Sequence, residues 1–145
     1  MKIEPVPVEW VHTVWGRVQH WVAAALAYSL GECTIDQCRL QVSRGDWVLY
    51  VWSDANKHVF GAAVVDFQQR FNDRVALVIA VGGRGMFTAE SIEQFKATMA
   101  LRGATTIEGA QRPAMARLWQ RFGAKPKYMV QEVRLYPGNE VSDGR

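Results

Sequence analysis

The residues best placed for chemistry are the glycines of Ala80-Val81-Gly82-Gly83-Arg84-Gly85-Met86, between a run of strand formers and a helix-forming segment. A strand that passes through glycines into a helix leaves several backbone N–H groups without intrahelical partners. They aim at one spot beside the positive end of the helix dipole. A phosphate fits that spot: Gly82, Gly83 and Gly85 let the chain turn tightly and let an anion approach the backbone, and Arg84 adds a charged contact. Glycines that do no more than turn the chain would look the same, so the motif has to be judged by the elements around it.

Other reactive residue types do not gather. His12, His20 and His58 are scattered, and the first two, on one helix face, have no acidic partner at ligand spacing, so no metal site is expected. Cys33 and Cys38, the only cysteines, point in different directions if both lie on a helix. There is no signal peptide at the start and no apolar run of membrane-spanning length. Both thiols are therefore expected free, in a cytoplasmic setting without membrane contact.

The elements that must hold the glycine turn can be read from periodicity. Met1 to Val8 alternates, but Pro5 and Pro7 each remove a donor, so a short edge strand is expected. From Glu9 to Leu30, Trp10, Val14, Val18, Trp21 or Val22, Ala25 and Tyr28 recur at helical spacing, and Gly31 ends the helix. Trp10, Trp15 and Trp21 cannot all face one core stripe, which leaves an indole for a pocket or an interface. Thr34 and Gln37 form a capping box for a second helix that Gly45 closes. Residues 46–52 and 58–68 read as a hairpin joined by a polar turn, and Arg74–Val81 as a central strand buried on both faces. After the glycines, Thr88 caps a helix carrying Ile92, Phe95 and Met99, and residues 104–110 form a short strand. Beyond Pro113, Met115, Leu118, Trp119 and Phe122 share one helical side, and Lys127–Tyr136 reads as a final strand. Residues 137–145 form a polar tail without periodicity.

A chain of 145 residues, 49% hydrophobic and 21% charged, suits one α/β domain with one core. Its net charge of +3 is spread rather than clustered, which makes nucleic acid an unlikely partner and is compatible with a phosphate-bearing ligand.

The order edge strand, two helices, hairpin, central strand, glycine turn, helix, strand, helix, strand resembles the GCN5-related N-acetyltransferases over residues 1–136. The resemblance implies a mixed, mostly antiparallel sheet flanked by about four helices. It also implies that main-chain amides of Val81, Gly82, Gly83, Arg84, Gly85 and Met86 hold the pyrophosphate of acetyl-CoA. The family pattern is Gln or Arg, two residues, Gly, one residue, Gly; Gly83 and Gly85 match, while Ala80 replaces the polar residue. In Arg117-Leu118-Trp119-Gln120-Arg121-Phe122-Gly123-Ala124, Leu118 and Gly123 match the family's last-helix pattern. Trp119 stands where a tyrosine often protonates the leaving thiolate, and Ala124 stands for phenylalanine.

Acetyl transfer needs a route for the proton of the attacking amine and donors for the oxyanion that forms. The central strand carries no carboxylate or histidine after Arg74, so the base candidates are Asp66, Glu108 and Glu32. Each also has a structural reading: Asp66 as a strand end, Glu108 paired with Arg112 or Arg117, Glu32 in solvent. The resemblance thus implies an acetyl-CoA-dependent N-acetyltransferase with a CoA thioester and an amine acceptor as partners. The departures at Ala80 and Trp119 imply the alternative, a noncatalytic protein of the same fold with protein partners in an assembly. Divergent members of this fold include bacteriophage proteins, some tied to the virion, which would then be the location.

Overall fold

The computed structural model describes residues 1–28 and 32–136. Local polar chemistry sets its hairpins. Strand β2 (Val48–Ser53) turns into β3 (Val59–Gln69) over Asp54, whose carboxylate accepts the amides of Asn56 and His58, both at 2.9 Å. β3 returns as β4 (Arg74–Gly83) through a tight turn in which the Arg70 amide donates to Asp73 O at 2.8 Å. β1 (Lys2–Pro5) pairs antiparallel with β2, and β5 (Thr106–Glu108) pairs parallel with β4. The sheet order is β1-β2-β3-β4-β5. A parallel neighbour requires a crossover, and helix α3 (Ala89–Leu101) supplies it.

Before α3 come α1 (Val11–Leu26) and α2 (Ile35–Arg44); α4 (Pro113–Gln120) follows β5. The capping box of α2 is complete: the Gln37 amide donates to Thr34 Oγ1 at 3.1 Å and the Thr34 amide to Gln37 Oε1 at 2.9 Å. Gly45 ends that helix at φ 83°. The buried stripe of α1 is Val11, Trp15, Val18, Val22 and Leu26, rotated from the one expected through Trp10 and Val14. A 3-10 turn at Val8–Trp10 precedes the helix and shifts its phase, leaving Trp10 58% exposed. The expected stop at Gly31 lies outside the described residues.

Two apolar layers sandwich the sheet. On one face α1 and α2 pack on Leu49, Ala62, Val64 and Ala80; on the other Phe95 and Met99 of α3, with Trp119 of α4, pack on Tyr50, Trp52, Ala63, Val65 and Ala76. The strand expected to be central and buried on both faces, Arg74–Val81, is β4, but the order puts β3 in the middle of the sheet with the longest buried run, and β4 beside the edge strand β5. The expected strand at Lys127–Tyr136 does not join the sheet: its backbone is irregular and its apolar side chains are exposed, Leu135 at 91%. Alternation describes what a strand would bury, but a ladder also needs an edge of matching length, and β5 offers three residues.

Candidate functional site

The site begins where two strands part. β4 and β5 pair from Val75 with Thr106 to Leu77 with Glu108, and there the ladder stops. Just beyond, a Cβ placed on Gly109 would still lie 3.8 Å from Val78. From Val78 to Gly83, a stretch of about 20 Å at a strand's rise, β4 has no neighbour on that side among the described residues. Its other side carries a bulge, since Val64 pairs with Ala80 but Val65 with Val78, which leaves Ile79 as the extra residue. Leu77, Val78 and Ile79 are accordingly only half-buried, although a continuous apolar run predicts full burial. The result is a wedge with its apex at Glu108 and its mouth at the glycine turn.

At that mouth the glycines do different jobs. A Cβ on Gly83 would meet Phe60 O at 2.4 Å, Gly61 Cα at 2.5 Å and Met86 Sδ at 2.6 Å, so Gly83 is required by the packing of β4 on β3. Gly82 lies against Trp21, and a Cβ there would come 3.1 Å from its carbonyl oxygen. Val81, Gly82 and Gly83 are still strand residues opposite Ala63, Ala62 and Gly61, and the Arg84 amide is taken by Phe60 O at 2.8 Å. Gly85, at φ 63°, faces open space. From Gly85 through Glu90 no amide donates to an acceptor among the described residues; the next two, Ser91 and Ile92, donate to Thr88 Oγ1 and Thr88 O. By ladder alternation the Val81 and Gly83 amides face the open edge of β4, so the free amides among the described residues run from the motif on to Glu90. Met86 can offer only its amide, because its side chain is buried against Gly61 and Gly83.

Between β4, α3 and α4 runs a slot walled by Trp52, Val78, Val81, Phe95 and Trp119. Its volume is about 10 Å³, room for roughly one water. Trp119 narrows it, standing edge-on to Phe95 at 6.4 Å with its Nε1–H buried and without an acceptor among the described residues. Trp52, in contrast, donates its Nε1–H to the buried Ser91 Oγ at 2.8 Å.

Of the three carboxylates, the sheet brings two into one row. Asp66 lies opposite Leu77, and Leu77 opposite Glu108, which places the two acids on one face about 10 Å apart, two strand spacings. Asp66 is half-buried and accepts Gln68 Nε2–H at 2.9 Å. Glu108 is gripped by Arg70 at 2.8 Å and by Lys127, while Arg70 also donates to Gln68 Oε1 at 2.9 Å. The Lys127 hydrogen bond, helped by Arg70 and opposed by burial, holds the Glu108 carboxyl below the usual carboxylate range. Glu32 is exposed between α1 and α2, and no hydrogen bond or ion pair links it to the other two.

The expected partners of Glu108, Arg112 and Arg117, are not the ones observed; Arg112 instead stacks on the Tyr28 ring at 4.9 Å. Alternation on β3 could have revealed Arg70, because Asp66, Gln68 and Arg70 share one strand face. Nothing in the sequence pointed to Lys127. Cys33 and Cys38 are both free, and among the described residues no group of three or more metal-ligating side chains forms. No helix among the described residues is long and apolar enough to cross a membrane.

No family model matches the chain, and no curated protein matches it in sequence. Solved structures do match its fold. A probable acetyltransferase superposes with a TM-score of 0.66 at 12% identity, over 97% of this chain and 100% of the other. An aminoglycoside acetyltransferase from an uncultured soil metagenomic sample gives 0.65 at 11%, over 93% of this chain and 98% of its own. Glucosamine-6-phosphate N-acetyltransferase from Arabidopsis thaliana gives 0.58 at 11%, with the same coverage. The chain has the fold of the GCN5-related N-acetyltransferases: one α/β domain built on a five-stranded, mostly antiparallel sheet.

Proposed function

We propose that the chain is an acetyl-CoA-dependent N-acetyltransferase acting on an amine. The observation that carries this reading is the run of unpartnered amides from Gly85 to Glu90, at the mouth of a wedge whose open β4 edge runs back to Glu108. Those amides, with the dipole of α3 behind them and the exposed Arg84 beside them, suit the pyrophosphate. The open backbone of β4 suits an extended amide-bearing arm added as a further strand, next to the bulge at Ile79. Acetyl-CoA supplies the thioester whose acetyl group passes to the amine.

The chain's own side chains then divide the work. Glu108, kept ionised between Arg70 and Lys127, is a poor proton acceptor at neutral pH and serves to anchor the apex. With Asp66 engaged by Gln68, the amine's proton leaves through water, and activity rises with pH toward the pKa of the acceptor itself. The Trp119 indole can offer a departing thiolate a hydrogen bond but no proton.

A second reading, a noncatalytic protein of this fold that binds a protein partner, is favoured by the narrowness of the slot, about 10 Å³ with Trp119 in place. Calorimetric titration of the full chain with acetyl-CoA and with CoA at low salt separates the two. The transferase reading expects micromolar binding, weakened on the order of tenfold by Arg84→Glu and by Gly85→Asp at an unchanged fold. Absence of heat at millimolar ligand would overturn it and leave the second reading.

A further inference from the structure

We propose that Cys33 and Cys38 form a modification site, at which a small-molecule disulfide oxidises the two thiols to a reversible bridge across the start of α2. The thiols would diverge if both lay on the helix. But α2 begins at Ile35, so Cys33 stands just before the Thr34 cap and Cys38 is the fourth helical residue. Side chains at those two positions meet across a capping box, where an apolar pair commonly fixes the entry of the chain into the helix. Here cysteines fill both. Thr34 O shows how closely they converge, since it accepts the Cys38 amide at 2.9 Å and the Cys33 thiol at 3.4 Å. Both side chains also join one apolar cluster, Cys38 inside it with Val42 and Leu49 and Cys33 packed against it.

Exposure sets the order of events. Cys33 is half-buried and Cys38 fully buried, so a reagent reaches Cys33 first. The Cys33 thiolate attacks one sulfur of the small disulfide; a mixed disulfide forms on Cys33 and one small thiolate leaves. Cys38 then gives its proton to solvent and attacks Cys33 Sγ; the mixed disulfide breaks, the bridge within the chain forms and the second small thiolate leaves. Two cysteines are oxidised and one small disulfide is reduced to two thiols. Burial first, and then the charge and the hydrogen bond of Cys33, push the Cys38 thiol up to about 12, which makes the second step the slow one. The charge of Cys33 disappears from that balance once its sulfur carries the mixed disulfide, and this helps Cys38 to ionise at the moment it must attack.

Incubation of the full chain with oxidised glutathione, read by intact mass, tests the proposal. The expected product is a single chain lighter by two hydrogens, in which neither cysteine takes up iodoacetamide in urea until a reductant is added. Cys38→Ala should stop at the glutathione adduct on Cys33. Titration against the ratio of reduced to oxidised glutathione then measures how well the fold places the two sulfurs. The native chain already holds them together, whereas the unfolded chain must close the loop, so the bridging constant should be on the order of thirtyfold larger in buffer than in urea. A native constant equal to or below the one in urea, a glutathione adduct that persists on wild type, or a disulfide between two chains would each overturn the proposal. The first two would mean that the cap holds the sulfurs apart, and the third that Cys33 meets another chain before it meets Cys38.

Discussion

Replacing Gly83 by alanine should destabilise the fold far more than the same change at Gly85, and the geometry gives the size of the difference. The new Cβ at 83 would sit 2.4 Å from Phe60 O and 2.5 Å from Gly61 Cα, both backbone atoms of β3. Ordinary carbon–oxygen contacts begin near ~3.3 Å, so the strands would have to separate by about 1 Å. The neighbouring bond from the Arg84 amide to Phe60 O, at 2.8 Å, opposes that movement. Overpacking of this kind costs about 3 kcal/mol, the upper part of the usual range, because backbone yields less readily than a side-chain tip. For a domain of this size that lowers the melting temperature by about 10 °C. At Gly85 nothing lies within 4 Å and the strain is only that of φ 63°, about 1 kcal/mol or roughly 3 °C. Thermal melts followed by circular dichroism, with urea titrations to check that the m-value holds, measure both variants. Equal melting temperatures, or a Gly85 variant weaker than the Gly83 one, would refute the account. The consequence for the proposed function is direct: a Gly83 variant that fails to bind acetyl-CoA has lost its sheet, so Arg84 and Gly85 are the positions that test the proposed anion site.

Four further outcomes follow from the same contacts. Tyr50 Oη is buried without a partner among the described residues, so Tyr50→Phe should gain about 1 kcal/mol in urea unfolding; a loss instead would mean that the hydroxyl is bonded. Glu108 has its folded pKa below its unfolded value near 4.5, so its contribution is present above that pH and is lost as pH falls through the folded value. The stability gap between wild type and Glu108→Gln, measured by urea titration, should accordingly shrink on acidification; a gap constant with pH would remove the ion pairs from the explanation. Burial first, and then the neighbouring Cys33, push the Cys38 thiol up to about 12, so iodoacetamide at mildly alkaline pH should label Cys33 and reach Cys38 only on unfolding. Since the unfolded thiol ionises near 9.0, the buried thiol leaves stability untouched below that pH and reduces it between there and about 12. Trp119→Ala should lose about 3 kcal/mol and widen the slot, raising acetyl-CoA affinity in calorimetry; weaker binding would show that the indole supports the ligand rather than blocking it.

Most of the scaffold was legible because it rests on local rules. Thr34 with Gln37, Thr88 with Ser91, and Gly45 after its helix are decided by neighbours within a turn, and each stands where residue type and spacing put it. The α1 stripe was misread for a related reason: residues just before the helix share its apolar character but follow the tighter 3-10 phase, which a fixed helical period cannot separate. The site was less legible, because its parts meet across the sheet. Glu108 and Arg70 are brought together by the β3–β4 turn and the parallel β5, and Lys127 reaches them from beyond α4, contacts that no spacing along the chain encodes.

The glycine motif shows the limit most clearly. Its residues suggest one anion cradle, yet in three dimensions they separate into Gly82 and Gly83, which let β4 lie against Trp21 and β3, and Gly85, which opens the run of free amides. Both uses exploit the missing side chain, the first for close packing and the second for a left-handed turn, and the sequence alone does not distinguish them. A binding site built this way depends on its scaffold: the amides beyond Gly85 keep their places only while Gly83 lets the two strands touch. The cost of altering the packing glycine and the loss of any ligand at the loop should therefore appear together at position 83 and separately at position 85.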